Sequence, residues 1–219
     1  MSATAAQTAV LSGPKSVVER GSEDYPERLL RCGSPPDRLY VIGNVVVLRM
    51  PSLSVVGARK ATPYGRGCAR RFSTLAAARG LVIVSGGARG CDSEAHRAAI
   101  AEGAPTVAFL GGGCDRIYPE ENAALFQSII DGGGAVVSER DWTFPPVPYA
   151  FRARNRLIAS LSAATLIVEA GLPSGTFSTA DEALAAGSEV LAVPGSITSA
   201  SSRGANRLIS QGAVPIIDD

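Results

Sequence analysis

The chain has 219 residues, of which 46% are hydrophobic and 19% charged, and this composition favours one folded core and excludes wholesale disorder. Its formal net charge of +1 excludes a globally basic nucleic-acid-binding protein but permits a local basic cleft. Four widely spaced cysteines and a single histidine argue against a disulfide framework and a zinc site, and no stretch reaches the roughly 18 apolar residues of a membrane span. We therefore expect a cytoplasmic protein with reduced thiols and with no metal, cofactor or membrane span.

The N-terminal part of the chain lacks the regular pattern that follows it. Small polar residues predict a flexible arm over residues 1–20. In residues 21–50 the DYP and SPP motifs mark turns, and the apolar stretch Leu39–Gly43 predicts an edge strand. We expect this short extension to pack on the rest of a single domain that spans residues 21–219.

From Leu53 onward, short apolar stretches alternate with helical patterns. Because each strand is apolar throughout and is followed by a helix, the pattern predicts an α/β fold, a three-layer sandwich with a mostly parallel sheet and helices on both faces. The predicted strands cover residues 53–57, 81–85, 105–110, 135–138, 165–170, 189–195 and 214–217, and the predicted helices cover residues 64–78, 92–101, 121–130, 154–162, 178–187 and 204–213.

The stretch Leu81–His96, LVIVSGGARGCDSEAH, carries the clearest site pattern. A buried strand leads into a loop with Gly86, Gly87 and Gly90, and a helix begins near Asp92. Glycine lets the backbone approach a phosphate closely, and the unpaired amides of the first helical turn point at it. The pattern predicts an anion-binding loop, and the alternative is a tight strand–helix turn that binds nothing.

The other strand ends carry similar residues. Because ligands of open parallel sheets bind at the carboxyl ends of the strands, we expect these ends to form one site. Gly57 would aim Arg59 over this edge, where a guanidinium binds phosphate through two nitrogens, and Arg89 faces the same region. Small hydroxyl residues at a later helix start would donate to phosphate. The candidate residues at these ends are Gly57, Arg59, Ser85, Gly86, Gly87, Arg89, Gly112, Ser174, Gly175, Thr176 and Thr179.

The stretch Phe151–Arg156, FRARNR, places three arginines around a predicted helix start, where cations indicate an anionic partner. The second and third arginines cannot share one helical face, so one of them is expected to pair internally with Glu139 or Glu169. The candidate site residues in this stretch are Arg154, Asn155 and Arg156.

No recognisable catalytic motif is present: the chain has no HExxH, no GxxxxGK[ST] and no clean GxGxxG. His96 lies four residues after Asp92 on one helical face, without a second nitrogen or thiol ligand, and we expect it to be structural. We predict no catalytic residue and no metal ligand.

Together the motifs resemble those of the DNA-processing protein A family (DprA, also called Smf). A series of this length at matching spacing is far more specific than any single motif. The matching pieces lie in order between about residue 22 and residue 217: DYP, SPP, SVVGARKATPYG, IVSGGARGCDSEAH, VAFLGGGCDRIYPEEN, VVSE, FRARNRLIASLS, LIVEAGLPSGTFSTADEAL, VLAVPG and GANRLISQGA.

The resemblance implies an extended Rossmann-like fold and a non-enzymatic protein that binds single-stranded DNA, acts in natural transformation and helps to load the recombinase RecA. It also implies a homodimer that forms through the last helix, with Leu208 and Ile209 at the interface. Tyr64, Tyr118 and Phe151 are then the candidates for base stacking. The implied DNA-binding residues are Gly57, Arg59, Ser85, Gly86, Arg89, Gly90, Asn122, Arg154 and Arg156, with the PSGTFST turn beside them.

The chain departs from the family pattern in several places. Gly87 and Cys91 replace the leucine and the isoleucine of the usual SGLAxGID loop, and Arg152 stands where proline is common. The sequence ends soon after the last predicted strand. We therefore expect a short form that comprises the Rossmann-like domain only, without the family's common winged-helix domain.

Two other functions are compatible with such a fold. A LOG-type nucleotide phosphoribohydrolase would carry the motif PGGxGTxxE. In this chain Thr179 takes the position of that glutamate, and Glu182 follows three residues late, about 60° short of a full helical turn. A nucleotide-binding sensor would hold a mononucleotide at the same strand ends and would gain little from a longer strand.

Overall fold

Strands and helices alternate along residues 10–218, which are the part of the chain that the computed structural model describes. The strands are β1 (Lys15–Glu19), β2 (Arg38–Gly43), β3 (Ser52–Val56), β4 (Val82–Ser85), β5 (Thr106–Phe109), β6 (Ala135–Ser138), β7 (Ala164–Ile167), β8 (Glu189–Ala192) and β9 (Val214–Pro215). The α-helices are α1 (Pro63–Ala78), α2 (Cys91–Ala101), α3 (Ala123–Asp131), α4 (Pro148–Leu161), α5 (Thr176–Ala185) and α6 (Arg203–Ser210). Short 3-10 helices cover Glu27–Arg31, Val45–Arg49 and Glu120–Asn122. No helix in this range is long and apolar enough to cross a membrane.

The described strands form one sheet in the order β1-β2-β6-β5-β4-β3-β7-β8-β9. Neighbouring strands from β6 to β9 in this order run parallel, whereas β1 and β2 are antiparallel to their neighbours. From β3 the chain builds outward through β4 and β5 to β6, and α4 returns it to β7 on the other side of β3. The strand order thus reverses beside β3, which is where such sheets open a crevice at their carboxyl ends. The predicted α/β fold with a mostly parallel sheet is confirmed.

The helices form two layers, one on each face of the sheet. Val55 of β3 packs in a cluster with residues of α1 and α2, such as Ala69, whereas Val56 packs with residues of α4 and α5, such as Leu157. Adjacent residues of a strand point to opposite faces, so these contacts separate α1 and α2 from α4 and α5. Because both faces of the central strands are covered, these strands are mostly apolar, and the few hydroxyl residues in them, such as Ser54 and Thr106, are buried.

The N-terminal part differs from the predicted arm and edge strand. Residues 1–9 of the predicted arm lie outside the described residues, but Lys15–Glu19 form β1, which pairs with β2. Val18 is buried, and the Lys15 ammonium lies 2.6 Å from the Asp115 carboxylate and 4.9 Å from the centre of the Trp142 ring. These tertiary contacts hold a strand whose short, polar sequence gives no clear pattern. The strand at this edge is therefore β1, and the prediction that Leu39–Gly43 would form the edge was wrong.

Helix α4 begins earlier than the sequence predicted. The expected helix covered residues 154–162, whereas α4 begins at Pro148. Proline suits the first turn of a helix, since its φ is already helical and its missing N–H would have no partner there. The stretch Phe151–Arg156 therefore lies inside α4, and the prediction that its arginines surround a helix start was wrong.

His96 is fully buried in α2 and serves a structural role. Its Nδ1 lies 2.8 Å from the Thr106 hydroxyl oxygen, and that hydroxyl donates to the Ile83 carbonyl at 2.5 Å. Because the hydroxyl proton is already used, Nδ1 must carry the ring proton and donate it. The other ring nitrogen has no hydrogen-bond partner, and burial lowers the pKa of His96 to about 3.

We expect His96 to make folding stability depend on pH. Its folded-state pKa lies below the unfolded value of about 6.5, so the unfolded chain binds the proton more readily and stability falls as the pH falls from about 6.5 towards 3. The slope is about 1.4 kcal/mol per pH unit for one proton. His96→Gln removes this titration, so the difference in unfolding free energy between wild type and variant should shrink by that slope between about pH 6 and pH 5. Urea denaturation at several pH values measures the difference, and parallel profiles for the two proteins would contradict the argument.

Candidate nucleic-acid interface

A cleft of about 340 Å³ opens at the carboxyl ends of β3 and β4, where the strand order reverses. Its walls come from the turn after β3, the loop after β4, the middle of α4 and the start of α5. Segments far apart in the sequence therefore meet here because the sheet topology brings their ends to one edge. The predicted site residues that line the cleft are Gly57, Arg59, Arg154, Asn155, Ser174, Gly175, Thr176 and Thr179.

Arg59 is the exposed cation at the mouth of the cleft. Its guanidinium lies 5.9 Å from the centre of the Phe151 ring, and within residues 10–218 it forms no ion pair. A cation over an aromatic face gains a modest electrostatic attraction and keeps its hydrogen-bond donors available. Arg59 is therefore positioned to bind an anion in the cleft.

An aromatic pair, Tyr118 and Phe151, lies beside the cleft, and we call it the aromatic shelf. The two ring centres are 5.2 Å apart, and Tyr118 is 42% exposed. The shelf borders a wider depression of about 660 Å³ that also includes Arg59 and Arg152. Of the aromatic candidates, Tyr64 lies elsewhere, because its hydroxyl donates to the Pro194 carbonyl at 2.7 Å beyond the end of β8.

Arg154 lies under the cleft and is buried. Its Nη1 donates to the Gly86 carbonyl at 2.8 Å and also to the Phe109 carbonyl, so it ties α4 to the ends of β4 and β5. Burial lowers the pKa of Arg154 to about 10, and the nearby Asp92 carboxylate opposes this shift. The guanidinium is therefore charged at neutral pH and forms a cationic floor for the cleft.

The sequence reasoning did not identify Asp92 as part of this floor. Its carboxylate accepts hydrogen bonds from the backbone amides of Gly86 at 3.2 Å and Ala88 at 3.3 Å. Burial raises the pKa of Asp92, whereas the Arg154 charge and these two amides act in the opposite direction. An aspartate in the first turn of a helix was the available signal, and here its side chain closes the loop after β4 onto itself.

Several predicted site residues hold this loop rather than line the large cleft. Ser85 donates to the Val55 carbonyl at 2.6 Å, and Asn122 donates to the Gly87 carbonyl at 2.9 Å and to the Ser93 hydroxyl at 3.0 Å. Gly90 has a φ of +77° at the start of α2, where a Cβ would collide with the Ala58 carbonyl. A side chain at this position is thus excluded both by backbone strain and by space.

Arg89 and Arg156 are both paired with acids. Arg89 is exposed and forms two hydrogen bonds with the Glu121 carboxylate. Arg156 donates to both oxygens of Glu139, at 3.0 and 2.5 Å, and lies in a separate depression away from the cleft. The internal pairing expected within the FRARNR stretch is therefore the pair Arg156–Glu139.

The remaining predicted residues lie outside the cleft as well. Gly112 is buried against the backbone of Phe144 and Pro146. Leu208 is buried in the chain's own core and Ile209 is half-buried against it. Arg152, which the sequence marked only as a departure from a family pattern, is exposed beside the aromatic shelf.

We expect Gly86→Ala to disturb the cleft floor. A Cβ at Gly86 would lie 2.6–2.8 Å from the Arg154 guanidinium, which two carbonyls hold in place. The variant should lose about 1–3 kcal/mol of unfolding free energy, the typical cost of an overpacked buried site. Gly175→Ala is the matched control, since a Cβ there would meet nothing within 4 Å. Chemical denaturation of both variants is the measurement, and equal stabilities would show that the guanidinium moves aside freely.

Comparison with known proteins identifies relatives over most of the chain. Residues 16–219 match the family model of DNA recombination-mediator protein A. Protein Smf of Escherichia coli is 42% identical over 202 residues, which is 92% of this chain and 54% of that protein. The chain thus spans about half the length of the curated relatives it matches.

Two solved structures share the fold closely. The DNA processing protein A of Streptococcus pneumoniae superposes with a TM-score of 0.86 at 35% identity, over 92% of this chain and 71% of that one. The DNA processing protein A of Helicobacter pylori, which binds single-stranded DNA, superposes with a TM-score of 0.85 at 31% identity, over 94% of this chain and 92% of that one.

Proposed function

The chain belongs to the DNA recombination-mediator protein A family, and from this premise we propose that it binds single-stranded DNA at the cleft and the aromatic shelf. The observation that carries the proposal is Arg59, an exposed guanidinium that forms no ion pair within residues 10–218 and lies between the cleft and the Phe151 ring. An arginine in this position can bind a backbone phosphate while an aromatic ring beside it stacks on a base.

The charges around the cleft favour a polyanion. Arg59 is exposed at the mouth of the cleft and Arg152 in the wider depression beside it, and the buried Arg154 adds a positive charge below. Helix α5 begins at Thr176 in the same cleft, just after Gly175, and a helix N-terminus favours negative charge. A nearly neutral protein can therefore bind DNA locally, with an affinity that falls as salt rises.

The relative from Helicobacter pylori supports this proposal. It binds single-stranded DNA, and the present chain covers 92% of it. The shared part is therefore the Rossmann-like domain, which holds the cleft. We extend the proposal to RecA loading and natural transformation in the cytoplasm, because the family is one of DNA recombination mediators.

We also propose a homodimer that forms along α6 and β9. Strand β9 lies at the edge of the sheet, where Val214 is 41% exposed, and Ile217 just after it is 77% exposed. Half-buried Ile209 adjoins this apolar edge, whereas Leu208 would support the interface from within the core. An unpaired edge strand with apolar neighbours favours association with a second chain.

We propose a binding role without catalysis. Thr179 is buried in α5 where a LOG-type hydrolase would carry its glutamate, and Glu182 does not line the cleft. Asp92 is the carboxylate among the cleft-lining residues, and backbone amides occupy it. A competition experiment distinguishes a nucleotide sensor from the proposed function. If the cleft is built for a free nucleotide, a mononucleotide should displace a long strand efficiently, whereas a site for single-stranded DNA should retain the strand.

Arg59→Ala should weaken binding to a labelled oligothymidine of about 30 nucleotides by about tenfold, and should lower the slope of log affinity against log salt by about 0.7. The reason is the loss of one phosphate contact. Arg79→Ala is the matched control, because Arg79 is an exposed arginine at the opposite end of α1. Fluorescence anisotropy across a salt series measures both quantities. If wild type fails to bind the strand, or if the two variants behave alike, the proposed site is wrong.

Phe151→Leu tests the stacking role of the aromatic shelf. We expect a loss of about 1–3 kcal/mol in binding free energy with an unchanged salt slope, since stacking involves no phosphate. Tyr149→Leu is the control, because Tyr149 is exposed on the same helix and outside the cleft. The same anisotropy titrations apply, and a Phe151 variant that binds like wild type would exclude stacking on this ring.

A further inference from the structure

Positive charge is left uncompensated where the exposed faces of α1 and α2 lie side by side. In the described part of the chain, Glu94 is the single acidic partner of three arginines: Arg66 at 3.8 Å, Arg70 at 3.0 Å and Arg97 at 3.7 Å. Elsewhere the ion pairs mostly join one base to one acid, as in Lys15–Asp115, Arg20–Asp37, Arg38–Glu19, Arg49–Asp24 and Arg89–Glu121. We call Arg66, Arg70 and Arg97 the arginine row.

The arginine row is exposed although its acid is not. The side chains of Arg66, Arg70 and Arg97 are 46%, 65% and 53% exposed, whereas that of Glu94 is 12% exposed. Glu94 therefore lies under the three guanidiniums and keeps them together. Each guanidinium has five donors, so most of their hydrogen-bonding capacity remains free for a ligand in solvent.

The arginine row continues from the rim of the cleft. Helix α1 begins at Pro63, four residues after Arg59, and Lys60 between them is also exposed. Arg66 and Arg70 occupy successive turns of α1, about 6 Å apart along its axis. Arg97 is in the second turn of the adjacent α2. Cations thus lead from the mouth of the cleft across the first two turns of α1 and α2.

We propose that the arginine row binds the phosphates of a single strand of DNA after the strand leaves the cleft. This inference rests on the proposed function, because the same strand occupies both places. Spaced guanidiniums suit a chain of phosphates, since each binds one phosphate without reading the base. The arginine row would therefore lengthen the binding site and leave sequence preference unchanged.

The test compares a strand that fills only the cleft with one that reaches the arginine row. Oligothymidines of about 6 and about 30 nucleotides serve as the two probes, within the range of known single-strand site sizes. The full chain carries Arg66→Ala, Arg70→Ala and Arg97→Ala together, and Arg79→Ala is the control. We expect about tenfold weaker binding of the long strand, a salt slope reduced by up to about 2, and less than a twofold change for the short strand.

A second variant keeps the proposal testable if the triple variant is unstable. Glu94→Gln removes the shared negative charge and keeps the side chain's shape, so the long strand should bind more tightly and with a steeper salt slope. A purely structural ion-pair cluster would instead lower the melting temperature without strengthening DNA binding.

The outcomes distinguish the two proposals. If the triple variant and Glu94→Gln both bind the long strand like wild type while Arg59→Ala binds it weakly, the arginine row is not part of the interface and the proposed function stands. If wild type binds neither strand, the proposed function fails and the arginine row fails with it. Selective loss of long-strand binding in the triple variant supports the arginine row.

Discussion

The cleft depends on a buried charge. Arg154 reaches from α4 to the carbonyls of Gly86 and Phe109, at the ends of two neighbouring strands, and lies close to the Asp92 carboxylate. The two buried charges favour each other without forming an ion pair, since carbonyls hold the guanidinium and backbone amides hold the carboxylate. Removing the Arg154 guanidinium would leave both carbonyls and the buried Asp92 charge less well compensated, which is more costly than losing an exposed ion pair. The helix, the two strand ends and the loop after β4 are therefore fixed relative to one another before any ligand arrives, and a preorganised site loses less entropy on binding.

Exposed and buried arginines have different roles at this edge of the sheet. Arg154 is used by the protein itself, and Arg156 is neutralised by Glu139. Arg59 remains exposed and without an ion pair in the described part of the chain, and the arginine row shares one carboxylate. This distribution explains how a chain of net charge +1 presents a local cationic surface. The net charge of a protein is thus a poor guide to its binding partners when acidic residues are scarce on one part of its surface.

The central sheet could be predicted from the sequence because its strands are buried on both faces and read as continuous apolar stretches. Strand β1 could not, since KSVVE is stabilised by pairing with β2 and by the contacts of Lys15 with Asp115 and Trp142, which lie far away in the chain. The start of α4 could not be predicted, because it lies in a proline-rich stretch whose composition is typical of a loop. Pro148 is nevertheless compatible with a first helical turn.

The candidate site was predictable at the level of strand ends and less so at the level of side chains. Gly57 and Arg59 follow directly from the rule that ligands bind beyond the carboxyl ends of parallel strands. The rotation of α4 decides that Arg154 points under the cleft while Arg156 points towards Glu139. The two residues lie about 200° apart around the helix axis, so a two-residue difference in helix phase would roughly exchange them. The arginine row required two helices to be placed side by side, because its members come from α1 and α2 and share an acid only in three dimensions.

The cleft takes its walls from β3, the loop after β4, α4 and α5, which together span most of the domain. A ligand that occupies the cleft contacts all of these segments only when they are folded together. Binding and folding are therefore linked: a ligand at a hundred times its dissociation constant adds about 2.7 kcal/mol to the stability of the native state. A protein built in this way is most resistant to unfolding and proteolysis while it is carrying its ligand, and returns to its lower intrinsic stability when the ligand is handed on.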